Sequence, residues 1–200
     1  MTTKRHPLIA GNWKMNGLKK DVRSLAGGLA SRVKKLNNPT FEMLVCPPAP
    51  LVGLVSEAVK GSGIAVGGQD CHAREAGAHT GDISAALLKS MGCKYVIVGH
   101  SERRTDHAET DKVVKAKAEA ALVAGLKVIV CIGETLKERK AGQTLNVNRK
   151  QIRGSLSASL AMRSTVSSSL PSSTKISSYA WSGKESLIAS VSFSTLSCSL

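Results

Sequence analysis

The sequence predicts a parallel α/β fold of the (β/α)-barrel kind, incomplete, with five strands recognisable. Three observations lead there. Short apolar runs rich in β-branched residues alternate with stretches of helical spacing. Each strand and helix pair takes about thirty residues, the length of a βαβ unit. No Gly-x-Gly-x-x-Gly follows the first run, which argues against a dinucleotide-binding sheet.

The elements follow in order. Leu8 to Asn12 is an apolar run closed by Gly and Asn, a first strand. Val22, Leu25, Leu29, Val33 and Leu36 recur at helical spacing among lysines and arginines, so a surface helix is expected over the sheet. Phe41 to Cys46 is a second strand, stopped by Pro47 and Pro48. Leu51 to Val59 reads as helix and Ile64 to Gly68 as a third strand. Cys71 to Gly81, rich in Gly, Ala and His, is too polar to pack as core and reads as a long excursion able to reach a partner subunit. Ile83 to Lys89 is helical. Tyr95 to Val98 has no polar interruption, the pattern of a strand buried on both faces. Asp111 to Ala124 is an alanine-rich helix with Gly125 as its C-cap, and Lys127 to Ile132 is the fifth strand.

The character changes after about Arg153. Eighteen of the last 50 residues are serine and only Glu185 among them is acidic. So little apolar mass does not offset the entropy of ordering a chain, although Leu187 to Phe193 has the makings of a strand. Two regions are therefore expected: residues 1–153 as a partial barrel, and 154–200 as a serine-rich tail, poorly ordered or the product of a shifted reading frame.

Composition narrows the function classes. No apolar run reaches the length of about 18 residues that crosses a bilayer, and the start of the chain leads into too short an apolar run for a signal peptide. Five scattered cysteines, never in a Cys-x-x-Cys pair, suggest neither a disulfide framework nor a zinc site, which fits a cytoplasmic protein. The net charge of +14 raises a nucleic-acid reading. However, Lys19, Lys20, Arg23, Arg32, Lys34 and Lys35 lie along presumed helices with hardly an aromatic between them, as on solvated faces, so neither nucleic acid nor membrane is expected as a partner. The same field would draw in a small anion.

Functional residues of a barrel lie just past its strand ends, where Asn12, Lys14, His100 and Glu134 fall. Asn12 and Lys14 occupy alternate positions, which on extended backbone would point an amide and an ammonium into the mouth of a barrel. At Gly99 the backbone can turn sharply, and a helix beginning after His100 would aim free N–H groups at the imidazole and favour its neutral form. Glu102 is a fitting ion partner for Lys14. Each reading has a plain structural alternative: a core histidine, a solvated loop lysine, an ordinary ion pair.

Four segments decide between them. Gly11-Asn-Trp-Lys-Met-Asn-Gly17, Gly77-Ala-His-Thr-Gly81, Val98-Gly-His-Ser-Glu-Arg-Arg104 and Cys131-Ile-Gly-Glu-Thr-Leu136 together closely resemble the triosephosphate isomerases, in that family's order and near its spacing, over about residues 5 to 156. The resemblance implies a TIM barrel and a glycolytic and gluconeogenic enzyme that interconverts dihydroxyacetone phosphate and glyceraldehyde 3-phosphate through an enediolate, with no metal or cofactor. It implies that His100 polarises the substrate carbonyl while Asn12, Trp13 and Lys14 bind substrate and Lys14 offsets the enediolate's charge. It further implies that Glu102 orients Lys14, that Ser101 helps position the base, and that Thr80 reaches the other subunit of a homodimer. Cys131 and Glu134 match a structural strand end.

The sequence also departs from the family. The base expected there is a glutamate in a Tyr-Glu-Pro-Val-Trp setting, and no such segment occurs. Tyr179-Ala-Trp-Ser-Gly183 is only faintly similar, and Glu185 stands in the wrong setting to replace the base. No catalytic base is found, and the expectation is a crippled isomerase. The competing class is a non-catalytic half-barrel that binds a partner chain or an anion.

Overall fold

The computed structural model describes residues 7–156, 178–180 and 187–191. Five parallel strands, β1 (Leu8–Asn12), β2 (Glu42–Cys46), β3 (Ala65–Gly68), β4 (Tyr95–Val98) and β5 (Lys127–Ile132), stand in sequence order and curl into half a barrel. Between and after them run the helices α1 (Gly28–Val33), α2 (Val52–Ala58), α3 (Ala85–Ser90), α4 (Ser101–Asp106), α5 (Asp111–Val123), α6 (Leu136–Lys140) and α7 (Thr144–Ser155), of which α1, α2, α3 and α5 bury apolar side chains against the outer face of the sheet.

Beyond β5 the sheet gains two strands, β6 (Ser178–Ala180) and β7 (Leu187–Val191). β7 pairs parallel to β5, with Val128 opposite Leu187, and β6 pairs antiparallel to β7. Both strands fall inside the serine-rich stretch, and β7 lies within the apolar run read as a possible strand. The remainder of the tail, including Glu185, lies outside the described residues. At the opposite side β1 pairs with β2 alone among the described strands, and Ile9 is half exposed there.

Strand alternation divides the core in two. Val45, Val96, Val98, Val128 and Val130 face outward into the layer shared with the helices, where Val114, Ala118 and Ala121 of α5 meet them. Leu44, Cys46, Tyr95, Ile97, Ile129 and Cys131 face inward and pack with Leu8. Both faces of β4 and β5 are buried, so their sequences read as unbroken apolar runs.

Two expectations need correction. The helix before β2 buries Val22, Ala26, Ala30 and Val33, while Leu25 and Leu36 are exposed. The chain enters it through a 3-10 turn (Lys19–Asp21) and a π-helical turn (Arg23–Gly27), which rotate the buried stripe onto the small alanines. The excursion after β3 is also not polar from its first residue. Cys71 is fully buried in the outer core, its thiol pushed up to about 12 chiefly by loss of water.

Candidate functional site

The ends of β1 and β4 carry the chemistry. Asn12 closes β1 and its Oδ1 accepts the backbone N–H of Lys14 at 2.9 Å, an Asx turn. That turn places Lys14 at φ 51°, a left-handed conformation that costs a β-carbon residue about 1–3 kcal/mol and persists only where the surroundings impose it. Gln69, just past β3, imposes it: its Nε2 donates to the carbonyls of Lys14 (2.9 Å) and Cys46 (2.8 Å). Trp13 donates its backbone N–H to the Cys46 carbonyl and lays its ring against Gly17 and the outer core. Asn12 and Lys14 are therefore brought to one side by a turn, not by strand alternation as the tripeptide alone suggested.

Gly99, at φ 67°, turns the chain out of β4. A Cβ there would lie 2.8 Å from Val114 Cγ1, so only glycine allows α5 to approach this closely. His100 then caps α4, its Nδ1 accepting the Glu102 N–H at 3.3 Å. Glu102 Oε2 also lies 3.4 Å from the same Nδ1, a contact that would need a proton on that nitrogen. The two demand opposite ring states, and the cap prevails. Burial disfavours the cation and moves the imidazole pKa down; Glu102 pulls it up less strongly, and Lys14 pushes it down further. The ring is neutral, Nδ1 accepts, and Nε2 carries the hydrogen.

Glu102 joins the two strand ends, its Oε1 taking the Lys14 ammonium at 2.9 Å. Both side chains are about half exposed, so the pair adds about 0–1 kcal/mol to stability. Its effect is positional: a cation and a neutral N–H donor share one rim, as a developing oxyanion requires. Ser101 is exposed in the first turn of α4, and Thr80 is exposed on the excursion after β3. Glu134 is buried and takes Arg139 Nε at 2.8 Å and Thr144 Oγ1 at 3.3 Å, which agrees with a structural strand end.

Behind the rim stand residues that the sequence did not single out. Arg104 donates from Nε to the Gly99 carbonyl, from Nη1 to Asp111 at 2.7 Å, and from Nη2 to the Cys131 carbonyl and Ser155, tying both strand ends to α5 and α7. Lys117 of α5 is buried and bonds Asp70 (2.6 Å) and Glu109 (2.5 Å), and Arg103 braces the same two carboxylates. Burial raises the Asp70 carboxyl despite Lys117, whereas at Glu109 the bonds from Lys117 and Arg103 outweigh burial and hold it below the usual range. A lysine in a predicted helix reads as solvated, so no sequence signal marked it. A cavity of about 360 Å³ lies elsewhere, between the approach to α1 and α2, and is lined by Lys19, Val22, Arg23, Gly27, Leu54 and Ala58. It shares no group with the rim, and its alkyl and cationic lining offers no acid–base pair.

The cap geometry gives a measurable expectation. A pKa lowered on folding means the folded state resists protonation, so the contribution of His100 to stability is complete above the unfolded value near 6.5. It is lost as pH falls below that value through the lower, folded one. Ring ¹⁵N shifts at pH 7 should show His100 as the neutral tautomer protonated on Nε2, and an imidazolium at that pH would contradict the capping bond.

Comparison with known proteins adds the last observation. The family model described as triosephosphate isomerase matches residues 7–167. A triosephosphate isomerase of Afipia carboxidovorans is 56% identical over 158 residues, and one of Xanthobacter flavus is 52% identical over 159, each covering 78% of this chain. The chain spans 61% of the length of both. The crystal structure of triosephosphate isomerase from Bartonella henselae superposes with a TM-score of 0.70 at 44% identity, covering 77% of this chain and 63% of that one.

Proposed function

From a chain that belongs to the triosephosphate isomerase family, we infer that Asn12, Lys14, His100 and Glu102 form the electrophilic half of an isomerase site. The reaction is the interconversion of dihydroxyacetone phosphate and glyceraldehyde 3-phosphate. A neutral histidine electrophile paired with a carboxylate base is the device for which this family is itself the known example. The observation that carries the reading is the rim itself: an Nε2–H donor held neutral by its cap, beside an ammonium fixed by Glu102. His100 would donate to the substrate oxygen on which charge develops, Lys14 would offset that charge, and Asn12 would hold the turn that presents Lys14. Trp13 anchors the turn through its packing. Thr80, on the exposed excursion, would meet the second subunit of a homodimer, and the protein would act in the cytoplasm. No helix among the described residues is long and apolar enough to cross a membrane.

The sequence supplies no glutamate in the setting the family uses for its base, and only Glu185 is acidic after Arg153. General-base catalysis contributes on the order of 10²–10⁴-fold. The purified chain should therefore turn over glyceraldehyde 3-phosphate at least about 10²-fold more slowly than the Afipia carboxidovorans relative assayed beside it. Titration of dihydroxyacetone phosphate should still shift the His100 ring resonances. Turnover equal to the relative's would refute the missing base. No response of His100 would refute the rim as a triose phosphate site and leave the half-barrel a binder of something else.

A further inference from the structure

We propose that the cavity between the approach to α1 and α2 binds a small amphiphilic anion, a carboxylate carried on a medium-length alkyl chain. Its volume of about 360 Å³ falls at the lower end of the range of small-molecule sites. The lining is apolar at Val22, Gly27, Leu54 and Ala58 and cationic at Lys19 and Arg23.

Sequence and backbone both keep this space open. The chain runs past the cavity in a 3-10 turn (Lys19–Asp21) and then a π-helical turn (Arg23–Gly27), a rare widening of the helix that frequently accompanies function. Gly27 and Gly28 have φ of −65° and −62°, right-handed values open to any residue. A Cβ on either would meet nothing within 4 Å. Glycines inside a helix weaken it relative to alanine, and neither conformation nor crowding calls for them here. What Gly27 preserves is the empty volume.

Charge names the ligand. Neither Lys19 nor Arg23 pairs with a carboxylate among the described residues. Asp21, between them in sequence, is committed to the turn, its Oδ2 accepting the Leu18 N–H at 2.9 Å. Like charges four positions apart repel, and an anion held between them removes that repulsion. Both alkyl stems can lie along apolar surface while the charges stay at its rim, and a guanidinium takes a carboxylate through two parallel N–H bonds. The apolar lining decides the rest: inorganic phosphate would leave it wet, whereas an alkyl chain covers it. No aromatic ring lines the cavity, so a nucleobase has nothing to stack on. None of the lining residues belongs to the excursion that carries Thr80 or to the Lys14 and His100 rim. The site therefore needs no part of the subunit contact to be open, and its fate is independent of the isomerase reading.

The test titrates the full chain with sodium octanoate below its micellar concentration and follows methyl NMR signals. Those of Val22, Leu54 and Ala58 should shift and saturate with one octanoate bound, while the His100 ring stays still. Octanol and inorganic phosphate should each bind about tenfold more weakly or worse, since each lacks one half of the ligand. K19Q and R23Q should each weaken octanoate about threefold, and K19Q/R23Q about tenfold. G27L should fill the cavity, weaken octanoate about tenfold and unfold in urea no earlier than the parent, because leucine is the better helix former. Shifts that never saturate, octanol bound as tightly as octanoate, a His100 ring that moves in place of Leu54, earlier unfolding of G27L, or full affinity in G27L or K19Q/R23Q would each overturn the site.

Discussion

Replacing Lys117 by methionine is expected to cost about 3–5 kcal/mol of folding stability, the usual penalty for removing one partner of a buried ion network. The ammonium sits between Asp70 and Glu109, and the residue is only 6% exposed. Without it, the buried Glu109 carboxylate and the partly buried Asp70 carboxylate would share the single guanidinium of Arg103. Two of their oxygens, Asp70 Oδ1 and Glu109 Oε2, already lack a partner among the described residues, so the network has nothing in reserve. Small domains are stable by about 5–15 kcal/mol, and such a loss would bring this one near its threshold. Urea unfolding should show a lower midpoint at an unchanged slope. K117M/E109Q should recover part of the loss, because it removes one of the two stranded charges. A K117M midpoint equal to the parent's would show that Arg103 alone satisfies both carboxylates.

Gly99→Ala is the second large effect and links stability to the rim. Left-handed backbone costs an alanine about 1–2 kcal/mol, and overpacking a filled core adds about 1–3 kcal/mol. Both apply here, since φ is 67° and the added Cβ would meet Val114 Cγ1 at 2.8 Å, Cγ2 at 2.9 Å and Arg104 Nη2 at 3.1 Å. The expected sum is about 2–5 kcal/mol. V114A in the same background should return only the overpacking share. Because Gly99 precedes the capping histidine, the substitution should also loosen the bond from the Glu102 N–H to His100 Nδ1, seen as a change in the His100 ring ¹⁵N shifts. Unfolding at the parent's midpoint with an unmoved ring would mean that the turn does not depend on glycine.

The strands were legible because a strand buried on both faces leaves no polar residue to interrupt it; Tyr95–Val98 and Lys127–Ile132 stand where the apolar runs placed them. The pairing of Lys14 with Glu102 was legible as charge chemistry at two strand ends. The buried stripe before β2 was not, because leucines marked the period while alanines made the contact. Gln69, Arg104 and Lys117 carried no signal, since each has the composition of a solvated surface and acts across gaps of 47 to 55 positions only after the sheet has closed.

The amino-acid order by itself determined the alternation of strands and helices, the positions of the chemistry-bearing groups at strand ends, and the absence of the expected base segment. Those follow from period, propensity and residue type, which are local. Only the tertiary structure decided that Lys14 is held left-handed by Asn12 and Gln69, that His100 Nδ1 accepts the Glu102 N–H and so leaves the ring hydrogen on Nε2, and that Lys19, Arg23, Leu54 and Ala58 line one cavity. Each of these depends on distances and burial that exist only when separate segments are brought together, and a backbone carbonyl or a lost water leaves no trace in the order of side chains.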